Sequence, residues 1–300
     1  MKRLFTKRFS MAEIIGLLAV AVLSVTVIGY AATTLPHTFS SGETVSSGQV
    51  NANFQSLANT IDGLTSCRGN SPNDIMVKVG PLCVDKYEAS VWLDANGTVT
   101  QYGAASDNYP FTFPDTGNWT TPVYAVSKAG VLPSTRVTWF QAQQACALSG
   151  KRLLTNAEWQ MAAAGTPTAY EPGADNGATD CNTSTAGAVA NTGGRSSCVS
   201  NWNVNDMVGN VWEWVADWMQ GSTSPWAPST PSGRAGASYG ADFMYGTNPA
   251  AYQGIGSTNF PAALIRGGGW SYGTSAGVFA LLAANGPAGA DSDIGFRCAR

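Results

Sequence analysis

Six cysteines are the feature that most restricts how this chain of 300 residues can fold. An even number of cysteines fits three disulfides, and disulfides form and persist mainly outside the reducing cytosol. Charged residues make up only 12% of the chain, about half of the roughly 25% found in an average soluble domain. Gly, Ser, Thr, Asn and Ala fill the difference, which favours loops and turns over helical bundles. The composition therefore predicts a loop-rich, disulfide-stapled protein.

The N-terminus agrees with a chain that leaves the cytoplasm. Residues 14–32 contain no charge, and small residues at Gly29 and Ala31 suit an exporting peptidase. The apolar run is also long enough to stay in the bilayer as a helical anchor. Residues 1–32 are thus predicted to be a signal peptide or a membrane anchor, with the rest periplasmic, on the cell surface or facing outward from the membrane. Four basic residues precede the run: Lys2, Arg3, Lys7 and Arg8.

A third interpretation of the N-terminus stays open. The segment from Phe9 to Glu13 resembles the start of a type IV pilin helix, with phenylalanine first and glutamate fifth. Pilins are processed after a glycine, whereas Arg8 stands at that place here. This interpretation predicts a pilin-like structural surface protein.

The chain has one histidine, His37, and it lies outside the segment that looks folded. Serine and cysteine nucleophiles of the triad type need an imidazole beside them, and most zinc sites use at least one. Those classes of site are therefore not expected. The net charge of -3 offers no basic field for a phosphate backbone, so nucleic acid is not an expected partner.

Two segments follow the N-terminus. Residues 33–66 form a polar linker in which Val50, Phe54, Leu57 and Ile61 follow helical spacing. This short amphipathic helix would pack on the domain or self-associate as a stalk, so a homo-oligomer is one expectation. The folded domain is predicted over residues 67–300, with short strands at 75–79 and 81–88.

Two helices of the domain are marked at their starts. Thr138 with Gln141, and Thr155 with Glu158, are capping boxes, in which side chain and backbone satisfy each other's polar groups. Glycines at Gly150 and Gly165 predict the two helix ends. After Gly165 the chain is rich in glycine and proline, and loops on a rigid scaffold are where binding surfaces usually lie.

Four sequence blocks, taken in order, resemble the sulfatase-modifying-factor or formylglycine-generating-enzyme family. The resemblance implies an α+β fold, a loop-rich variant of the C-type lectin, following the N-terminal hydrophobic helix. The family pairs its helix cysteine with its last one, which implies Cys146–Cys298, and Cys181–Cys198 and Cys67–Cys83 complete the set. The blocks are 83–88, 146–159 (CALSGKRLLTNAEW), 206–218 (DMVGNVWEWVADW), and 266–270 together with 295–298.

The enzymes of this family carry two active cysteines just after the Arg-Gly-Gly turn. At those places this chain has Tyr272 and Gly277, and neither a phenol nor a hydrogen can replace a metal-binding thiolate. The prediction is a non-catalytic protein, with a sulfatase-modifying oxidoreductase as the alternative. No cofactor is required on this interpretation. Calcium is the one candidate, because the fold sometimes keeps a calcium site, here at Gly209, Val211, Glu213 and Asn191.

The last block also resembles the variable proteins of diversity-generating retroelements, whose lectin-fold terminus is randomised at asparagine codons. The resemblance implies a variable region at 266–298 and a patch that binds an unknown surface ligand, protein or glycan. Val278, Phe279 and Leu281 are predicted to anchor this region in the core, and an ordinary polar loop is the alternative. The implied ligand-binding positions are Ser271, Tyr272, Ser275, Leu282, Ala284, Asn285, Gly289, Asp291 and Asp293.

Seven tryptophans divide into two groups by their place in the sequence. Trp139, Trp159, Trp212 and Trp214 lie inside the family blocks and are predicted to be core residues. Trp202, Trp218 and Trp226 lie in the loop region and are predicted to be exposed. Carboxylate pairs such as Asp85 with Glu88 are predicted to be contacts within the fold, because no pattern sets them across a cleft.

Overall fold

The computed structural model describes residues 36–65, 67–115, 119–168, 175–219, 244–245 and 262–300. The chain divides into two units, Met1–Ser66 and Cys67–Arg300. The predicted signal peptide, anchor or pilin-like helix at residues 1–32 lies outside the described residues, as does Trp226. Within the described ranges, no helix combines the length and the apolar character that a membrane crossing requires.

The first unit contains the predicted amphipathic helix, α1, which spans Ser47–Thr65. Ser46 and Gln49 form a capping box at its start, because the Gln49 amide donates to the Ser46 hydroxyl and the Ser46 amide donates to the Gln49 side chain. Asn53 exchanges two hydrogen bonds with the backbone of His37, at 2.8 and 3.0 Å. The single histidine thus lies in the linker, outside the second unit.

The second unit carries its described strands in three sheets. The strands are β1 Met76–Val79, β2 Leu82–Asp85, β3 Ser90–Trp92, β4 Gln101–Tyr102, β5 Tyr124–Val126, β6 Arg152–Leu153, β7 Trp212–Met219, β8 Met244–Tyr245, β9 Ala262–Arg266, β10 Leu281–Asn285, β11 Ile294–Phe296 and β12 Cys298–Ala299. The order of the first sheet is β1-β2-β12-β6, of the second β11-β7-β9-β10-β8, and of the third β4-β3-β5.

Both helices of this unit begin where their capping boxes predict. Helix α2 spans Trp139–Leu148 after Thr138, and α3 spans Asn156–Ala162 after Thr155. In each helix, the threonine hydroxyl accepts a hydrogen bond from the backbone amide three residues later. The side chain of that later residue accepts a hydrogen bond from the threonine amide. Gly150, just beyond the cap of α2, has a φ of 65°, which a residue without Cβ adopts at little cost.

Three disulfides crosslink this unit, and they are the three predicted pairs. They are Cys67–Cys83, Cys146–Cys298 and Cys181–Cys198. Cys146–Cys298 ties α2 to β12 across a sequence separation of 152 residues. All six cysteines of the chain are therefore used, and such crosslinks indicate an oxidising environment.

The α+β, loop-rich, disulfide-stapled architecture is confirmed. Trp159, Trp212 and Trp214 are buried as predicted, Trp139 is partly exposed, and Trp202 and Trp218 are exposed. The prediction for Phe279 was wrong, because 40% of its surface is exposed. Phe279 lies in the turn before β10 rather than in the strand. The alternation by which every second strand residue faces the core therefore does not apply to it.

Candidate functional site

A buried ion pair forms the centre of the second unit. The guanidinium of Arg297, which follows β11, donates to both carboxylate oxygens of Glu213 in β7, at 2.5 to 2.9 Å. The indole nitrogen of Trp159 in α3 donates to the same carboxylate at 2.7 Å. Arg297 also donates to the carbonyl oxygens of Asp85 and Asn205, at 3.1 and 2.9 Å. Both charges of the pair are thus matched and hydrogen-bonded, as a buried charge requires.

Two further carboxyl groups lie beside this pair. Glu88 accepts from the Asn210 side chain at 2.5 Å and from the Val211 amide at 3.2 Å. Asp206 accepts from the Gly193 amide at 2.6 Å. Burial raises the pKa of Asp206 to about 6, and burial together with Asp206 and Glu213 raises the pKa of Glu88 well above its ordinary value. These acids hold the loop from Gly193 to Val211 against the sheets.

A second buried cation organises the first sheet. The Lys151 ammonium contacts Asp74 at 2.5 Å and Asp85 at 2.8 Å. The other oxygen of Asp85 accepts from the amide of Cys298 at 3.0 Å. Burial raises the pKa of Asp85 to about 6 despite the attraction of Lys151. This cluster fixes the last strand, β12, through its backbone as well as through its disulfide.

We call Glu88, Asp206, Glu213 and Arg297, with Trp159, Asn210 and Trp212, the buried frame. After strand β9, which pairs with β7 of the frame, the chain turns at residues 266–270. Gly268 has a φ of 88°, and a Cβ there would lie 2.6 Å from the Cα of Ala276. Only glycine fits such a position. The Trp270 amide then donates to the carbonyl of Asn210 at 3.0 Å, so the segment that follows starts from a fixed point.

Tyr272 and Asp293 meet on top of the frame. The Tyr272 ring stands edge-on to Trp212, with 5.0 Å between ring centroids. The Trp212 amide donates to the carbonyl of Asp293 at 2.7 Å. Burial raises the pKa of Asp293, and nearby Asp291 raises it further. Burial, Asp293 and Asp291 likewise raise the pKa of Tyr272. An aromatic ring and two carboxyl groups, all named from sequence, therefore share one surface.

Backbone bonds pin the loop that carries Gly289 and Asp291 at both ends. The Trp139 amide donates to the carbonyl of Pro287 and the Arg136 amide to that of Asp291, both at 2.9 Å. Within the loop the Gly289 amide donates to the carbonyl of Gly286 at 2.8 Å. A loop held by its backbone leaves its side chains free to differ, because those bonds do not depend on residue type.

The nine predicted positions divide by exposure. Ser271 and Asp291 are exposed, and Tyr272, Ser275, Asn285, Gly289 and Asp293 are partly exposed. Leu282 is only 8% exposed and packs in the hydrophobic core with Trp214 and Ile265. Ala284 lies on the same strand, β10. We call the seven exposed or partly exposed positions the C-terminal patch. Leu282 points into the core, because its ladder partner Ile265 does so.

An aromatic cluster beside this region was not assembled from the sequence. Trp218 lies edge-on to Trp139 and Phe140, with centroid distances of 5.0 and 5.9 Å. In the sheet register, Trp218 of β7 lies opposite Ala263 of β9, and Ala263 lies opposite Asn285 of β10. The aromatic cluster is therefore two strands away from a patch residue. The sequence placed Trp139 in the core and Trp218 on the surface. Only the register of β7, β9 and β10 could have shown that they adjoin.

At the site proposed for calcium, the Glu213 carboxylate is already engaged by a cation, because both of its oxygens face the Arg297 guanidinium. The Asn191 carbonyl accepts from the Gly194 amide at 3.0 Å. Over the described ranges, no group of three or more His, Cys, Asp or Glu residues is arranged to hold a metal ion. A calcium ion would compete here with an arginine already in place.

Tyr272 and Gly277, which the resemblance aligns with the family's active cysteines, do not fit a thiolate-bound metal. Tyr272 offers a phenol whose pKa is raised, and Gly277 offers no side chain. The Gly277 amide donates to the carbonyl of Gly267 at 3.1 Å, which closes the turn. Because all six cysteines are in disulfides, the chain has no thiol to replace them.

A family model described as "Sulfatase-modifying factor enzyme 1-like domain" matches residues 92–300. This confirms the family resemblance and the C-type-lectin-like fold that it implied; the block at 83–88 lies before the matched range. Among curated relatives, serine/threonine-protein kinase pkn1 of Chlamydia pneumoniae is 31% identical over 172 residues, covering 56% of this chain and 24% of that protein. Hercynine oxygenase of Mycolicibacterium smegmatis is 29% identical over 149 residues, covering 46% and 30%. The chain thus spans about a quarter to a third of the length of these relatives.

Solved structures with a similar arrangement include two proteins of low sequence identity. Major Tropism Determinant P3c Variant is 22% identical with a TM-score of 0.44, covering 75% of this chain and 51% of that chain. Treponema denticola variable protein 1 is 17% identical with a TM-score of 0.37, covering 76% and 99%.

Proposed function

This chain belongs to the family of sulfatase-modifying factor enzyme 1-like domains, and on that premise we propose that it is an exported, non-catalytic ligand-binding protein. The observation that carries the proposal is the contrast within the last block. Arg297 is fully buried in an ion pair, while Tyr272, Asp291 and Asp293 gather on the surface above it. A rigid support with accessible side chains of mixed chemistry suits recognition.

The chemistry of the patch indicates what the ligand should offer. Tyr272 supplies a ring with one polar group, which gives a large contact area at low entropic cost. Asp291 and Asp293 add negative charge beside it, and neither forms an ion pair among the described residues. We expect a surface protein or glycan that presents basic groups or hydroxyls, since both groups donate hydrogen bonds to carboxylates and pack on aromatic rings.

The location of the protein is part of the proposal. Three disulfides favour an oxidising compartment, and residues 1–32 have the composition of a signal peptide or anchor. N-terminal sequencing of the exported protein distinguishes the alternatives. A start near Ala32 identifies a cleaved signal, an intact N-terminus an anchor, and a start at Phe9 a pilin-like protein, which would contradict the proposal.

Diversification of the patch is the finer part of the proposal. The residues at the nine predicted positions follow no period of size or polarity, whereas the glycines and Arg297 around them satisfy fixed contacts. The mechanism would then be recognition alone, with affinity set by whichever side chains occupy the patch. Disulfides and backbone bonds would keep the ordering cost at binding small.

Binding assays with patch variants test the recognition site. The full-length protein in mild detergent would be screened against a printed glycan array and a phage-displayed random peptide library. Tyr272→Ala and Asp293→Asn should each weaken the selected ligands at least about tenfold, as truncation of a central aromatic or charged contact does. Tyr124→Ala, in the three-stranded sheet, and Glu43→Gln, in the first unit, are matched controls. Selected ligands that bind both sets of variants equally would contradict the proposed site.

A catalytic function is the second candidate, because one relative carries the name of an oxygenase. Incubating the protein with copper, oxygen and a cysteine-containing sulfatase peptide tests it. Without a free thiol we expect no retained copper, no oxygen consumption and no loss of the peptide thiol. Turnover of the peptide above the metal-only control would overturn the non-catalytic assignment.

A further inference from the structure

Helix α1 of the first unit has an apolar seam of unusual regularity. Its large apolar residues follow one another at alternating spacings of four and three, and every other position of Ser47–Thr65 is polar, alanine or glycine. This is the 3.5-residue repeat in which apolar residues occupy two places of every seven. The five seam positions are Val50, Phe54, Leu57, Ile61 and Leu64.

The width of the seam distinguishes between two kinds of partner. A helix that packs on a globular surface needs an apolar stripe of about 100° or more, with additional large residues flanking the seam. In α1 the flanking places hold Asn51, Asn53, Ala58 and Thr60. A strict two-in-seven seam is instead the surface of a coiled coil, because each seam side chain inserts between four residues of another seam.

The helix also needs a partner for its own stability. It contains Gly48 and Gly63 and many asparagine, serine and threonine residues, which are weak helix formers. Most of the stability of helices in proteins comes from packing of an amphipathic face rather than from intrinsic propensity. The second residue of the seam, Phe54, is 59% exposed in the single chain. Covering that ring would supply the packing that the helix lacks.

Charge points to an identical partner. Asp62 is the only ionisable residue of α1, and neither end turn carries a charge that matches the helix dipole. Pairing of different helices is normally specified by opposite charges that flank the seam, and α1 has none there. Identical uncharged flanks can approach without repulsion. We propose that α1 self-associates with other copies of this chain as a coiled coil.

The consequence is a multivalent binder. Each copy joined at α1 brings its own second unit, so one assembly carries several patches. Binding of a second patch to the same surface is then intramolecular, and avidity can exceed the affinity of one patch by roughly 10²–10⁴. The proposal itself does not depend on the patch binding anything.

Sedimentation of the full chain in mild detergent tests the proposal. The wild type should sediment as a dimer or trimer, and Phe54→Asp or Leu57→Asp should convert it to a monomer, because a charge cannot be buried in the seam. Gln55→Asp and Asn59→Asp add the same charge away from the seam and should leave the oligomer intact. Unchanged thermal unfolding of the second unit would show that the variants act only on α1.

Three results would overturn the proposal. The first is a wild type that stays monomeric up to about 100 μM, far above the concentrations at which specific complexes form. The second is an oligomer that Phe54→Asp leaves intact, which would place association elsewhere in the chain. The third is an equal loss of the oligomer in the seam variants and in Gln55→Asp.

Discussion

The buried frame and the C-terminal patch obey opposite rules, although residues 266–300 contribute to both. Arg297 is fully buried and donates hydrogen bonds to Glu213 and to backbone carbonyls, whereas Ser271 and Asp291 are exposed. The buried frame is specified by chemistry that admits few substitutes. The C-terminal patch is specified by backbone bonds that most residues can make. The difference shows how one stretch can join a rigid support to positions whose side chains can be exchanged.

The frame tolerates few substitutions because its buried charges depend on one another. Removing either member of a buried ion pair leaves the other uncompensated in a medium of low dielectric constant. The patch lacks such dependence, because its exposed groups remain solvated whether or not a partner is present. Four changes to the chain, given from the largest expected effect to the smallest, can break or sharpen this comparison.

Removing the disulfide that ties α2 to β12 should have the largest effect. The double variant Cys146→Ala with Cys298→Ala opens a loop of 152 residues and should lower the free energy of unfolding by about 5 kcal/mol in the chain-entropy model. Cys181→Ala with Cys198→Ala opens a separation of 17 residues and should cost about 3 kcal/mol. Urea denaturation of both would measure the order. A larger loss for the shorter loop would show that the frame depends less on Cys146–Cys298 than its span implies.

Breaking the central ion pair should come next. Arg297→Met leaves the Glu213 carboxylate buried without its cation and should lower the free energy of unfolding by about 3–5 kcal/mol. Arg152→Met is the matched control, because Arg152 forms an ion pair with Glu158 while its side chain is 41% exposed; the loss should stay below about 1 kcal/mol. Equal losses in thermal melts would mean that the buried pair is no more restrictive than a surface one.

The buried acids should give the frame an unusual dependence on pH. Burial raises the pKa of Asp206 to about 6 from an ordinary value of 3.8, so between these values the folded state holds a proton that the unfolded state has lost. Its contribution to stability is complete below pH 3.8 and disappears as the pH rises through 6. In wild type the free energy of unfolding should therefore decrease between about pH 4 and 6, and Asp206→Asn should reduce that decrease. Urea denaturation across this pH range measures it.

The control for this prediction has the opposite sign. Bonds from Arg152 lower the pKa of Glu158 to about 2, so Glu158 stabilises the fold above its ordinary pKa of 4.5, and that contribution disappears as the pH falls towards 2. Between about pH 5 and 6, where Asp206→Asn should flatten the slope, Glu158→Gln should thus leave it unchanged. A slope that Asp206→Asn does not alter would show that Asp206 is ionised in the fold at lower pH than its burial implies.

Substitutions in the patch should have the smallest effect on stability. Ser271→Asn and Asp291→Asn alter exposed side chains and should change the unfolding free energy by less than about 0.5 kcal/mol. Leu282→Asn, at the buried position of the predicted set, should cost several-fold more, because its side chain packs against the core. Chemical denaturation of the three variants measures the contrast. A large loss for Asp291→Asn would place that residue in the frame.

The sequence predicted the local features of the fold better than its contacts. Thr138 and Thr155 mark the starts of their helices because a capping box is complete within four residues. The contact between Arg297 and Glu213 spans 84 positions, and no local spacing encodes such a distance. The family resemblance suggested Glu213 as a calcium ligand, whereas its partner in the structure is an arginine of another block.

The binding positions show the same division. Ser271, Asp291 and the other patch residues could be named from a resemblance in the last block, and the structure gathers Tyr272, Asp291 and Asp293 on one surface. Leu282 was named from the same resemblance but lies in the core. Its burial depends on the pairing of β10 with β9, and that register is set by residues far away in the chain.

Deep amplicon sequencing of codons 260–300 from a population of the source organism tests the central claim most directly. A fixed frame under a variable patch predicts substitutions at the seven codons of the C-terminal patch and an asparagine-coding near-copy in the downstream DNA. Codons for Gly268, Arg297 and Cys298 should stay uniform, because their contacts admit no substitute. Uniform codons throughout with no near-copy, or substitutions spread evenly over patch and frame, would contradict the claim.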